Sequence, residues 1–141
     1  MPTLTKPSPV TETPPADAAS ARAHFAEAFR FETDCWDVNY SLTNGLADFV
    51  LLDVRSPELY AQGHVPGALS VPHRKIVEGY MAQWPQETVF VVYCAGPHCN
   101  GAHRAAVRLA GLGRPVKLML GGLTGWLDEG LPLARGEAPG A

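Results

Sequence analysis

A chain of 141 residues has room for one ordinary domain and a short extension, and a hydrophobic share of 46% against a charged share of 18% lets it bury a real core. The formal net charge of −3, with no clustered Lys or Arg, argues against nucleic acid as a partner. No apolar run approaches the roughly 18 residues that span a bilayer, and the start lacks the apolar stretch of a secretory signal, so no membrane partner and a cytoplasmic location are expected.

Taken in chain order, residues 1–16 carry Pro2, Pro7, Pro9, Pro14 and Pro15 among Thr and Ser. Such a stretch cannot form regular backbone ladders or bury much apolar area, so a disordered tail is expected. Residues 17–33 turn Ala-rich, with Phe25 and Phe29 four apart on one helical face. That spacing predicts an N-terminal helix docked on the surface of a domain spanning 34–135, followed by a flexible C-terminus at 136–141.

Within 34–135, short β-like runs alternate with helical stretches. Strands are predicted at 36–38, 49–54, 68–71, 88–93 and 116–120, the second and fourth being near-continuous apolar runs of the kind covered on both faces. Helices are predicted near 41–44, 57–62, 74–84, 102–112 and 123–129, with Gly63, Gly113 and Gly130 placed as left-handed C-terminal caps. Alternation of this kind predicts an α/β fold of three layers, a mainly parallel five-stranded sheet with helices on both faces. Ligands in such sheets bind beyond the carboxyl ends of the strands.

That rule points to Cys94, which closes the apolar run at 88–93 and opens the loop Ala95-Gly96-Pro97-His98-Cys99-Asn100-Gly101-Ala102. A cysteine between a buried strand and a helix N-terminus meets converging backbone N–H groups and the positive end of the helix dipole. Both stabilise a thiolate, the form that acts as nucleophile. Gly96 and Gly101 allow the tight turns that aim amides inward as an anion cradle. Of the other cysteines, Cys99 lies in the same loop and Cys35 far upstream. An odd count of three without an export signal argues against a disulfide framework. Cys94, His98 and Cys99 lack the fourth ligand of a structural zinc site, so no metal is expected.

The loop resembles that of the rhodanese domain family, in which a strand-end Cys opens a Gly-containing loop leading into an Ala-Ala helix. Leu51-Leu52-Asp53-Val54-Arg55, Gly63-His64-Val65-Pro66-Gly67-Ala68 and Gly121-Gly122-Leu123-Thr124-Gly125-Trp126 resemble three further motifs of that family, in order, over roughly residues 34–133. The resemblance implies a rhodanese-like fold and a thiosulfate sulfurtransferase-like activity. Sulfane sulfur would pass from a small anionic donor such as thiosulfate to a thiol or cyanide acceptor through a cysteine persulfide. No cofactor is implied, and a protein sulfur donor or acceptor is a further candidate partner.

Asp53 and Arg55 are expected to support the sheet edge through a charge-assisted hydrogen bond, and Trp126 to lie in the core. Ala95, Gly96, Pro97, His98, Asn100, Gly101 and Ala102 are the expected substrate cradle, with Arg74 after the third strand as added positive charge. The loop departs from the family pattern Cys-x-x-Gly-x-Arg. Counted back from Ala105-Ala106 it is longer by two residues, and Gly101 stands where the closing Arg belongs. A literal Cys-x4-Arg match runs instead from Cys99 to Arg104. Strand-end placement favours Cys94 as the nucleophile, with Cys99 the alternative, and a third arrangement uses one to take sulfur and the other to resolve it to a disulfide. Two rival functions stay open on the same fold: an oxyanion enzyme, phosphatase or arsenate reductase, and a non-catalytic persulfide carrier or redox-sensing module.

Overall fold

The computed structural model describes residues 6–140; residues 1–5 of the expected tail and residue 141 lie outside them. The described residues divide into two compact units, with the boundary between Arg30 and Phe31. In the first, helix α1 (Ala18–Phe31) starts where Asp17 accepts hydrogen bonds from the Ser20 amide at 3.0 Å and the Ser20 hydroxyl at 2.7 Å, an N-cap that satisfies a free helical amide. None of its residues is buried.

The second unit holds a five-stranded sheet, β1 (Glu32–Thr33), β2 (Val50–Asp53), β3 (Leu69–Ser70), β4 (Phe90–Tyr93) and β5 (Val116–Met119), in the order β1-β5-β4-β2-β3 with every pair parallel. β4 is the middle strand. Its side chains alternate between two cores, as a strand period of two requires. Phe90, Val92 and Cys94 pack with Ala105 and Leu109 of α5 (Gly101–Gly111) on one face. Val91 and Tyr93 pack on the other with Val38 of α2 (Cys35–Thr43) and Trp126 of α6 (Gly122–Asp128). Helices cover both faces, and the strands all end on one rim. Among the described residues no helix is long and apolar enough to cross a membrane.

Three expectations need correction. Residues 36–38 are not a strand but the first turns of α2, and the first strand is the two-residue β1 just before it. Asp34 sets the boundary, accepting from the Asp37 amide at 2.8 Å, so Cys35 and Val38 reach the core at helical spacing while Trp36 stays exposed. The helix expected over 74–84 is a 3-10 turn at His73–Lys75 and a short α4 (Glu78–Met81), separated where Ile76 leaves helical geometry to bury its side chain. Gly113 and Gly130 adopt the left-handed conformation at φ +76° and +69°, but Gly63 ends α3 (Pro57–Gln62) in extended backbone at φ 170°.

Beneath the rim lies a buried polar knot. Arg55 Nη2 donates to Asp53 Oδ2 at 2.7 Å and to the Gly63 carbonyl at 2.7 Å, while Tyr93 donates its hydroxyl hydrogen to Asp53 Oδ2 at 2.8 Å and accepts from the Val65 amide at 3.1 Å. The carboxylate is fully enclosed, and it is paired as a buried charge must be. The final residues strap across the same region. His64 and Ala134 exchange backbone hydrogen bonds of 2.9 Å, Gly136 N donates to Ala61 O at 2.8 Å, and Pro139 O accepts from Gly67 N at 2.9 Å and lies 3.0 Å from His64 Nε2.

Candidate active site

Cys94 leaves β4 on the α5 side and stays 6% exposed, its sulfur set beneath the N-terminus of that helix. The loop behind it is clamped from the β5–α6 connection. Leu123 N donates to Cys94 O at 3.0 Å, and the Thr124 amide and hydroxyl both donate to Ala95 O at 2.9 Å. Gly122 makes this approach possible: at φ +57°, a Cβ there would stand 2.5 Å from Cys94 O and 2.9 Å from Gly96 N. The Cys99 amide donates to Gly96 O at 3.0 Å, closing a turn that brings Cys99 back beside Cys94.

The two sulfurs converge on Gly101. A Cβ at Gly101 would lie 2.8 Å from Cys94 Sγ and 3.5 Å from Cys99 Sγ. Cys94 and Cys99 influence each other's ionisation, and the amides of Ala95 and Gly101 favour the charged form of both. Gly101 N stands 3.5 Å from Cys99 Sγ, the first amide of α5 meeting the sulfur at its positive end. These contacts act unequally on the pair. Burial, then donation to Cys99, pushes the Cys94 thiol up to about 11. The Cys94 hydrogen bond, then the Gly101 amide, holds Cys99 below its ordinary 9.0. Of the two, Cys99 therefore ionises more readily, and it is also the more accessible.

A cavity of about 280 Å³ opens at these sulfurs. Of the residues singled out from sequence, Cys94, Gly96, Pro97, Cys99 and Ala102 line it. Gly101 is not in its lining but donates its amide to Cys99 Sγ, and Ala95 is engaged with Thr124. Neither His98 nor Asn100 lines it, and the Asn100 Oδ1 accepts from Arg104 Nε at 3.2 Å. Arg74 also lies outside it, on the 3-10 turn packed against α5. There His73 is held below its usual range by burial and then by Arg108, Arg74 and Arg104. The far wall is the surprise: Leu118, Met119, Leu120, Gly121 and Gly122, with His103 at the mouth, complete the enclosure. The Gly121-Gly122 pair was visible in the sequence as a motif, but glycines that act through backbone shape advertise no chemistry.

Cys35, the third cysteine, donates to the Leu120 and Gly122 carbonyls at 3.6 Å. Burial and then the charges of Asp34 and Glu129 push it up to about 11. Among the described residues no group of three or more His, Cys, Asp or Glu is placed to hold a metal ion.

A family model described as Rhodanese-like domain matches residues 37–129. The chain is 33% identical over 100 residues to a sulfurtransferase of Allochromatium vinosum, covering 69% of this chain and 92% of that one. It is 33% identical over 93 residues to the HTH-type transcriptional regulator Rv0324 of Mycobacterium tuberculosis, covering 66% of this chain but only 41% of the regulator. Among solved structures, protein BH2092 of Bacillus halodurans superposes with a TM-score of 0.81 at 34% identity, covering 89% of this chain and 91% of that one. Thiosulfate sulfurtransferase of Pseudomonas aeruginosa gives 0.63 at 28% identity, covering 79% of this chain and 21% of that one.

Proposed function

The chain belongs to the rhodanese-like domain family, and we propose that it is a sulfurtransferase that takes sulfane sulfur from a small anionic donor onto a cysteine of the 94–101 loop and passes it to a thiol or cyanide. One observation carries this reading: two cysteine sulfurs share a glycine-vacated space at the start of α5, under the Ala95 and Gly101 amides and open to a cavity. In the first displacement the Cys99 thiolate attacks the outer sulfur of a thiosulfate-like donor. Sulfite leaves with the bonding pair, and a persulfide remains on Cys99. An acceptor thiolate or cyanide then attacks the outer persulfide sulfur and frees Cys99. Inward amides stabilise the negative charge at both stages, while Cys94 lowers the pKa of Cys99 and so eases its ionisation.

Two features support Cys99 over the strand-end Cys94 as the loading residue, namely its greater exposure and its lowered pKa beside a raised one at Cys94. The test is thiosulfate:cyanide turnover with intact-mass measurement in wild type, Cys94→Ser and Cys99→Ser. Cys99→Ser is expected to lose turnover and the added sulfur, and Cys94→Ser to keep the adduct. Loss of the adduct in Cys94→Ser alone would assign loading to Cys94. A wild type that neither turns over nor releases sulfite from thiosulfate would reject the proposal.

The phosphatase or arsenate reductase reading loses support at one residue. A cradle for a multiply charged tetrahedral oxyanion calls for a fixed cation at its close, and here that place is Gly101, while Arg104 turns to Asn100.

A further inference from the structure

We propose that Cys94 and Cys99 form a resolving pair: sulfur loaded on the loop leaves as hydrosulfide while the two cysteines close a disulfide, which an external dithiol reopens. This rests on the sulfur-loading reading above and extends it to a reductive activity, the conversion of sulfane sulfur to sulfide.

The geometry carries it. Because the missing side chain of Gly101 leaves one space flanked by both sulfurs, at 2.8 Å and 3.5 Å from where its Cβ would be, Cys94 stands beside whatever Cys99 receives. Each of the two thiols shifts the ionisation of the other, and all three cysteines of the chain are free. Cys94 is 6% exposed, so a soluble acceptor reaches it poorly, whereas Cys99 is partly exposed. A buried thiol that bulk acceptors cannot reach, set against the loading sulfur, is placed for an internal displacement.

The step balances without an outside oxidant. A Cys99 persulfide has an inner sulfur, its own Sγ, and an outer sulfane sulfur. Cys94 Sγ attacks the inner one, the Cys94–Cys99 bond forms and the bond to the outer sulfur breaks. The outer sulfur leaves with the bonding pair and the Cys94 proton as HS⁻. It is reduced by two electrons, and each cysteine sulfur gives up one. A dithiol then restores both thiols by exchange, the rate following the thiolate fraction of the attacker.

The experiment is an anaerobic single turnover of the full chain, reduced beforehand and freed of reductant, with equimolar thiosulfate and no added thiol or cyanide. Sulfite, sulfide and intact mass are measured together. In wild type we expect sulfite and sulfide in nearly equal amounts and a protein lighter by two hydrogens, with no sulfur added. Cys94→Ser should release sulfite alone and hold the added sulfur, so its sulfide yield falls at least tenfold. Wild type that releases sulfite but keeps the sulfur and yields no sulfide would overturn the resolving pair and leave the transferase reading intact. If neither sulfite nor an adduct forms in wild type, the loading reading itself fails and takes this one with it. Wild type alone also decides the question should Cys94→Ser fail to fold: disulfide and sulfide appear together there, or the resolving pair is wrong.

Discussion

At the scale of single residues, the site turns on how a proton is shared between two sulfurs. Cys99 lies below its ordinary value because Cys94 donates to it and the Gly101 amide faces it. Its thiolate is present above that lowered value and is lost as pH falls through it. Alkylation of Cys99 should therefore rise with pH along a curve whose midpoint lies below that of an ordinary thiol. Cys94→Ala removes the neighbour that does most to lower it and should shift that midpoint upward, which stopped-flow alkylation across a pH series would read. An unmoved midpoint would mean the helix start alone sets the charge. Gly101→Ala probes the same spot by volume. Its Cβ would press on the Cys94 sulfur at 2.8 Å, and displacing reacting atoms by a fraction of an ångström should reduce sulfur loading by about 10²-fold with little change in circular dichroism.

At the scale of elements, the loop is only as firm as what clamps it. Gly122→Ala would drive a side chain into the Cys94 carbonyl and the Gly96 amide. Because these are backbone atoms that cannot swing away, a loss of about 1–3 kcal/mol is expected on denaturant unfolding. The knot below behaves differently. Asp53→Ala would leave the Arg55 guanidinium and the Tyr93 hydroxyl buried without their carboxylate, at a cost of about 3–5 kcal/mol. Tyr93→Phe, which breaks only the hydroxyl's own bonds, should cost about 1–3 kcal/mol. Equal losses from the two would show that the charge pair contributes nothing special.

What could be read in advance follows from the strength of each local signal. β2 and β4 are near-continuous apolar runs, and α5 follows its glycine-rich loop, so strand, loop and helix could be placed and with them both cysteines. Residues 36–38 misled because three residues cannot separate a period of two from one of 3.6; the cap at Asp34 was the stronger clue. β1 and β3 are two residues each and owe their form to their neighbours rather than to any propensity. The cavity's far wall was beyond reach for another reason. Leu118 to Gly122 face the sulfurs only because β5 lies beside β4, a pairing between segments distant in sequence.

For the molecule as a whole, the last residues matter more than their composition suggests. The strap from Ala134 to Pro139 ties His64, Gly67 and Ala61 together, and His64 is fully enclosed with its ring stacked on Tyr60 at 3.7 Å. Removing residues 134–141 should uncover that ring and delete several backbone bonds worth about 0.5–1.5 kcal/mol each. A fall in Tm on the order of 10 °C is expected, and an unchanged Tm would show that the strap rides on the surface without holding it. The reactive sulfurs hang from the middle strand, flanked by β2 and β5, while the two-residue strands occupy the outer positions. Edges fray first, so the amide hydrogens of Phe90 to Tyr93 should be among the slowest to exchange with deuterated water. Heat or denaturant would then strip the periphery while the chemistry endured, and loss of turnover would mark collapse of the entire sheet rather than an early warning of it.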